Sequence, residues 1–158
     1  MTKKEFISHV QRREIQAPIV IDILKAYMDE LGKEKALDIL SNVIKEDAIK
    51  SGKCLAERFS GNGIKELAQL IKEVWCEDGA MEIDVLKETE KEFHFNVRKC
   101  LYAEVYRKLD NLELGKHLSC NRDFPFNIGF NPDIVLERTK TIMEGDDCCD
   151  FKYTKYNR

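Results

Sequence analysis

The chain has 158 residues, 43% hydrophobic and 35% charged, with 8 Gly and 3 Pro; it is long enough for one domain burying about 70% of its unfolded surface, without a low-complexity tract. Its 26 basic residues are interspersed with 29 acidic ones for a net charge of −3, which argues against nucleic acid or another polyanion as partner. No signal-peptide core opens the chain and no stretch reaches the roughly 18 apolar residues of a membrane span, so a cytoplasmic protein without a membrane partner is expected.

Residues 3–13 predict a turn or two of helix with Phe6, Ile7 and Val10 on one face, broken before Pro18, because the residue preceding a proline disfavours the α region. From Pro18, the positions Ile19, Val20, Ile23, Leu24, Tyr27, Met28 and Leu31 recur at helical spacing, with Gly32 just past the end. A second helix runs from Lys33 into the fifties, weakened or ended at Gly52. After the loop "SGNG", Asn62 is the expected N-cap of a third helix through Ile64, Leu67, Ala68, Ile71, Val74 and Trp75.

At residue 81 the period changes from 3.6 to 2. Met81, Ile83 and Val85, then Phe93, Phe95 and Val97, alternate with polar residues around a turn at 88–91, which predicts a β-hairpin. "LYAEVYRKL" and "LELGKHLS" predict two short helices split at Asp110–Asn111, followed by an irregular stretch containing Pro125, Gly129 and Pro132. "IVLERTKTIM" and "CCDFKYTKY", joined by "EGDD", predict a second hairpin. The expected class is α+β in a single domain, residues 1–158: a helical part over 1–79 packed with an antiparallel sheet of ββααββ order over 80–158.

Six cysteines without a CxxC pair are expected as thiols, metal ligands or catalytic groups rather than disulfides. Cys100 stands where strand gives way to helix, and helix amides with Lys99 or Arg98 nearby favour a lowered thiol pKa. Its bland alternative is a small buried hydrophobe. Cys120 shares a loop with Asn121, Arg122 and Asp123, residues that build sites and ordinary turns alike. In the last strand Cys149, Phe151 and Tyr153 share one face, and Cys148, Asp150 and Lys152 the other. Three scattered thiols, Cys100, Cys120 and Cys149, are a weak signal for zinc, and neither metal nor cofactor is expected. His9 is expected to be solvated, and His94 and His117, either of which could act as a general base, are expected at the surface. Arg138 lies among apolar alternating positions, so its guanidinium wants a carboxylate, in the simplest case an internal ion pair.

The blocks "NVRKCLYAEVYRKL", "ELGKHLSCNRDF", "GFNPDIVLERTKTIMEG" and "CDFKY" together resemble the L-2-amino-thiazoline-4-carboxylic acid hydrolase family over roughly residues 90–155, with Cys148 extra to the pattern. The resemblance implies a small-molecule substrate and a hydrolase that opens a cyclic amidine to a carbamoyl-cysteine, toward cysteine biosynthesis. Within it, chemistry suggests Asp123 or Asp150 to pair with the amidine, and Arg138 or Arg122 to clamp the substrate carboxylate. Cys100 or Cys120 could attack as thiolate with Glu104 handling a proton, Cys149 completing the catalytic set, or water could attack directly with Asp or Glu as base. Asn121 and Tyr102 complete the substrate contacts. The alternative is a non-catalytic binding or sensing module, since the element order is also similar to ligand-binding domains of the 4-vinyl-reductase type. The pattern leaves the oligomeric state open.

Overall fold

A computed structural model describes residues 7–156. Two long helices open the chain. Helix α1 spans His9–Leu31, started by Ser8, whose hydroxyl accepts from the Gln11 amide while the Gln11 side chain accepts from the Ser8 amide. It passes through Pro18 without a break, against the expected interruption; proline removes one backbone donor, and it and Glu14 lie exposed, where water can satisfy the freed carbonyl. Residues 3–6 of the expected preceding turn lie outside the described residues. Gly32, at φ +83°, turns the chain directly into α2, Lys33–Arg58.

Helix α2 does not weaken at Gly52. A Cβ there would sit 2.2 Å from the Phe126 carbonyl oxygen and 2.7 Å from the Phe130 nitrogen, so glycine is what lets helix α6, Asp123–Phe130, lie directly on α2. Gly129 on α6 makes the reciprocal approach, 2.1 Å from the Ile49 carbonyl oxygen. The stretch containing Pro125, Gly129 and Pro132 is therefore not irregular throughout, as its breakers imply: Pro125 falls in the first turn of α6, where it is tolerated, and Gly129 is a contact residue.

Helix α3, Ile64–Leu70, is capped at Gly63 rather than Asn62, the Gly63 amide donating to Glu66. It ends in a π-helical turn, Ile71–Trp75, that sets the Trp75 ring edge-on to Phe126 with centroids 5.1 Å apart.

Strands β1, Met81–Glu88, and β2, Glu92–Cys100, form the first hairpin. Helices α4, Leu101–Lys108, and α5, Leu112–Leu118, follow as expected, then α6, β3 (Ile134–Glu137) and β4 (Cys149–Lys155). The antiparallel sheet has the order β1-β2-β4-β3. The fold is thus α+β, but the ββααββ detail is corrected: three helices separate the hairpins. The second hairpin is also looser than "EGDD" implied, since residues 138–148 carry a 3-10 turn at Ile142–Glu144.

One sheet face is aromatic and buried. Phe95 opposes Phe151 across β2 and β4 with rings 4.9 Å apart and 7° from parallel, and Phe93 opposes Tyr153. Helices α2, α3 and α6 cover this face. A second apolar cluster joins α1, α2, α4 and α5 through Ile21, Leu24, Leu40, Tyr106 and Leu114. Cys100, Tyr102 and Ile142 pack against both clusters and mark the seam between them.

Because the α2–α6 contact is backbone on backbone, no rotamer change relieves an added methyl. Gly129→Ala should lower the unfolding free energy by about 3 kcal/mol or more, read as a reduced urea midpoint; a midpoint unchanged from the parent would show that the helices part freely.

Candidate functional site

The cavity lies on that seam, with a volume of about 290 Å³, at the small end of the range for ligand pockets. Each segment delivers its part for a local reason. Cys100 is the last residue of β2 and the N-cap of α4, so its side chain turns inward with Tyr102 beside it. The 3-10 turn Cys120–Arg122 leads into Asp123 at the first turn of α6. Arg138 follows the last residue of β3, and Cys149 opens β4 on its buried face. Cys100, Tyr102, Cys120, Arg122, Asp123, Arg138 and Cys149 all line the cavity.

Its polar centre is an ion pair between the Arg138 guanidinium and the Asp123 carboxylate, with side chains 6% and 19% exposed. Arg138 also donates to the Cys120 carbonyl at 3.2 Å and sits over the rings of Phe124 and Phe151, 5.2 and 5.3 Å from their centroids. It is therefore committed to the protein rather than free to clamp a substrate. Burial pushes the Asp123 carboxyl up to about 6 despite Arg138, so it titrates near neutral pH. Close enough to feel both charges, Tyr153 is fully buried with a hydroxyl that finds no hydrogen-bond partner among the described residues.

Burial works against ionising the three thiols that line the cavity. Burial raises Cys120 far above its ordinary value, with the Asp123 charge adding to it. Burial likewise raises Cys149 to about 12, although its sulfur accepts from the Ile142 amide at 3.2 Å. Cys100 reverses the lowered value expected of it: the Ala103 and Tyr102 amides do favour its thiolate, but burial outweighs them. No group of three or more His, Cys, Asp or Glu among the described residues is arranged to hold a metal ion.

Three expected site residues lie elsewhere. Glu104 is half-exposed and paired with Arg107. Asp150, on the outer face, accepts from the Thr139 hydroxyl and the Thr139 and Lys140 amides. Burial opposes its ionisation, but these donors hold its pKa below the ordinary carboxylate value. Asn121 does not reach the cavity wall. Nor do His94, beside Glu92 on the polar face of β2, and His117 of α5. Cys148 is buried outside the cavity.

The cavity mouth went unread in the sequence. His9, Arg12, Arg13 and Gln16 of α1 line it, as do Asp47 and Ser51 of α2. Their spacings of three, four and seven residues on α1, and four on α2, are one-face spacings, but a polar face reads as solvated unless its partner is known. Arg122 pairs with Asp47; Arg12 and Arg13 face no carboxylate at ion-pair distance among the described residues. The mouth is thus electropositive, and burial together with Arg12 and Arg13 lowers the His9 pKa, keeping its imidazole neutral.

Comparison with known proteins follows the same lines. The sequence model of the L-2-amino-thiazoline-4-carboxylic acid hydrolase family matches residues 12–153. No curated protein matches the chain. Among solved structures, the phenol-responsive sensory domain of the transcription activator PoxR, in complex with phenol, is similar at a TM-score of 0.52 and 12% identity, covering 95% of this chain and 76% of that one. Trafficking protein particle complex subunit 3 from Naegleria fowleri, covalently bound to palmitic acid, is similar at a TM-score of 0.52 and 13% identity, covering 92% and 96%. At these identities the likeness is one of fold.

Two measurements check the electrostatics. Iodoacetamide at neutral pH should label exposed Cys54 first and leave Cys100, Cys120 and Cys149 largely unmodified; fast labelling of Cys100 would mean a thiolate after all. The fold holds the Asp123 proton at about 6, against 3.8 ordinarily, so its stabilisation is full below about pH 4 and lost as pH rises to about 6. The unfolding free energy of the parent minus that of Asp123→Asn should therefore fall by about 2 kcal/mol between pH 4 and 7; a flat difference would mean an ordinary carboxylate.

Proposed function

The chain belongs to the L-2-amino-thiazoline-4-carboxylic acid hydrolase family, and from that premise we propose that it hydrolyses a small, carboxylate-bearing cyclic amidine such as L-2-amino-thiazoline-4-carboxylate to a carbamoyl-cysteine. The observation that carries the reading is the Asp123–Arg138 pair inside the cavity, with a carboxyl that titrates near pH 6 where proton transfer in both directions is easiest.

Of the two routes open to such a site, direct attack by water fits these residues better. The ionised Asp123 carboxylate takes one proton from water as the water oxygen bonds to the carbon of the protonated amidine, whose C=N π electrons pass to nitrogen. One ring bond from that carbon then breaks as the added hydroxyl becomes the carbonyl, Asp123 giving its proton to the departing heteroatom while the hydroxyl proton is released to solvent. Arg138 orients the carboxylate through this cycle. A cysteine nucleophile would need a thiolate, and burial holds Cys100, Cys120 and Cys149 protonated. Their sulfurs, with Met81 and Met143, instead offer a soft wall to the ring. The substrate carboxylate finds its charge partner at the mouth, in Arg13, because Arg138 is already engaged.

A non-catalytic binding or sensing role is the second reading. It is favoured by the self-satisfied Asp123–Arg138 pair, and by the shared fold with a phenol-responsive sensory domain and a palmitate-carrying subunit.

Fresh, reduced protein incubated with the thiazoline acid, with carbamoyl-cysteine followed by mass spectrometry, separates the two. Hydrolysis predicts that kcat/KM rises with pH through about 6 and levels off, that Asp123→Asn loses about a thousandfold or more, and that Cys-to-Ser changes at 100, 120 and 149 each lose under about tenfold. A stable complex without turnover would support sensing.

A further inference from the structure

The outward face of α1 is apolar where a solvated helix would be polar. Ile15, Ile19, Ile23, Tyr27 and Leu31 recur every fourth residue and are 66%, 59%, 48%, 51% and 40% exposed. The same helix buries Val10, Ala17, Ile21 and Leu24 against the second apolar cluster, so these five side chains are not the core face of a misread helix. The five side chains expose on the order of 500 Å², comparable with the roughly 300–600 Å² of the largest patch on a typical monomer, which is often functional.

Charge along α1 selects the occupant. Its first half carries Arg12 and Arg13 against Glu14, and its second half Asp22, Asp29 and Glu30 against Lys25. Helical spacing puts Arg12, Ile19, Ile23 and Glu30 on one face, since positions seven residues apart nearly coincide around the axis. We propose that the chain forms a two-fold symmetric dimer through α1, packed antiparallel on α1 of a second copy.

The two-fold axis passes level with Ile21, which is buried on the far side of the helix. Ile19 then faces Ile23 of the partner subunit, Ile15 faces the partner's Tyr27, and Arg12 faces the partner's Glu30. Every contact is reciprocated, as an isologous interface requires. The parallel arrangement would set Arg12 on Arg12 and Glu30 on Glu30, so charge fixes the direction while apolar area supplies the affinity. Because Arg12 also lines the cavity mouth, the acidic end of the partner's helix comes to rest beside the entrance.

The test is sedimentation equilibrium of the full chain at concentrations from about 1 to 100 μM, beside circular dichroism to confirm folding. The parent should sediment as a dimer. Ile19→Glu with Ile23→Glu, both at exposed positions, should be a folded monomer, a weakening of at least about a hundredfold. Glu30→Arg should weaken the dimer by setting cation on cation, and Arg12→Glu combined with Glu30→Arg should restore it. A monomeric parent overturns the proposal, including one that binds phosphatidylglycerol vesicles instead, which would make the stripe a lipid-binding face. A dimer that survives the double glutamate substitution overturns it too, since association would then use another surface. Failure of the charge-swapped pair to recover the dimer overturns the antiparallel arrangement.

Discussion

The structure is organised around one buried ion pair. Arg138 leaves the end of β3 and Asp123 begins α6, so their contact ties the sheet to the helices at the point where the two apolar clusters leave a gap. A guanidinium that is 6% exposed cannot stand there unpaired, because removing it from water costs several kcal/mol that a partner must offset. The offset has three sources: the Asp123 carboxylate, the Cys120 carbonyl, and the two aromatic faces that bracket the charge. The glycine contact between α2 and α6 matters for the same reason. By bringing α6 down onto α2, it fixes the helix end from which Asp123 reaches Arg138.

That pair sets the chemistry available to the thiols. Three cysteines around one cavity invite a nucleophilic reading, but a thiolate needs a cation or an open path to water. The deeply buried guanidinium of Arg138 is taken by the Asp123 carboxylate, whose own charge works against ionising Cys120. Burial does the rest. The cavity is consequently walled by neutral sulfur around an aspartate whose carboxyl is pushed up to about 6.

Much of this was legible locally. The switch from period 3.6 to period 2 at residue 81 fixes the first hairpin, and the alternation in β4 puts Cys149 and Asp150 on opposite faces, as found, without telling which face meets the cavity. The demand of Arg138 for a carboxylate also follows from its apolar neighbours. What the sequence hides is whatever depends on a distant partner. Gly52 and Gly129 look like breakers until each is seen against the other helix's backbone. The His9, Arg12, Arg13 and Gln16 face looks solvated until α2 is laid across from it. The thiol at Cys100 looks activated by its helix until burial is counted, and burial is a property of the fold rather than of the neighbouring residues.

The fold shared with a sensory domain and a trafficking subunit bears on how little separates holding a ligand from hydrolysing one. A pocket between a sheet and a helical layer orients a small molecule and limits its contact with water, which serves both purposes. Hydrolysis further requires a group that gains and loses a proton near neutral pH, within reach of the ligand and steadied against rotation. An ordinary surface aspartate is already ionised and holds a proton too weakly to return it to a leaving group. The desolvated Asp123 is shifted to where both transfers are accessible, and Arg138 keeps it from shifting further. The balance between burial and one guanidinium therefore decides whether this cavity can do more than bind.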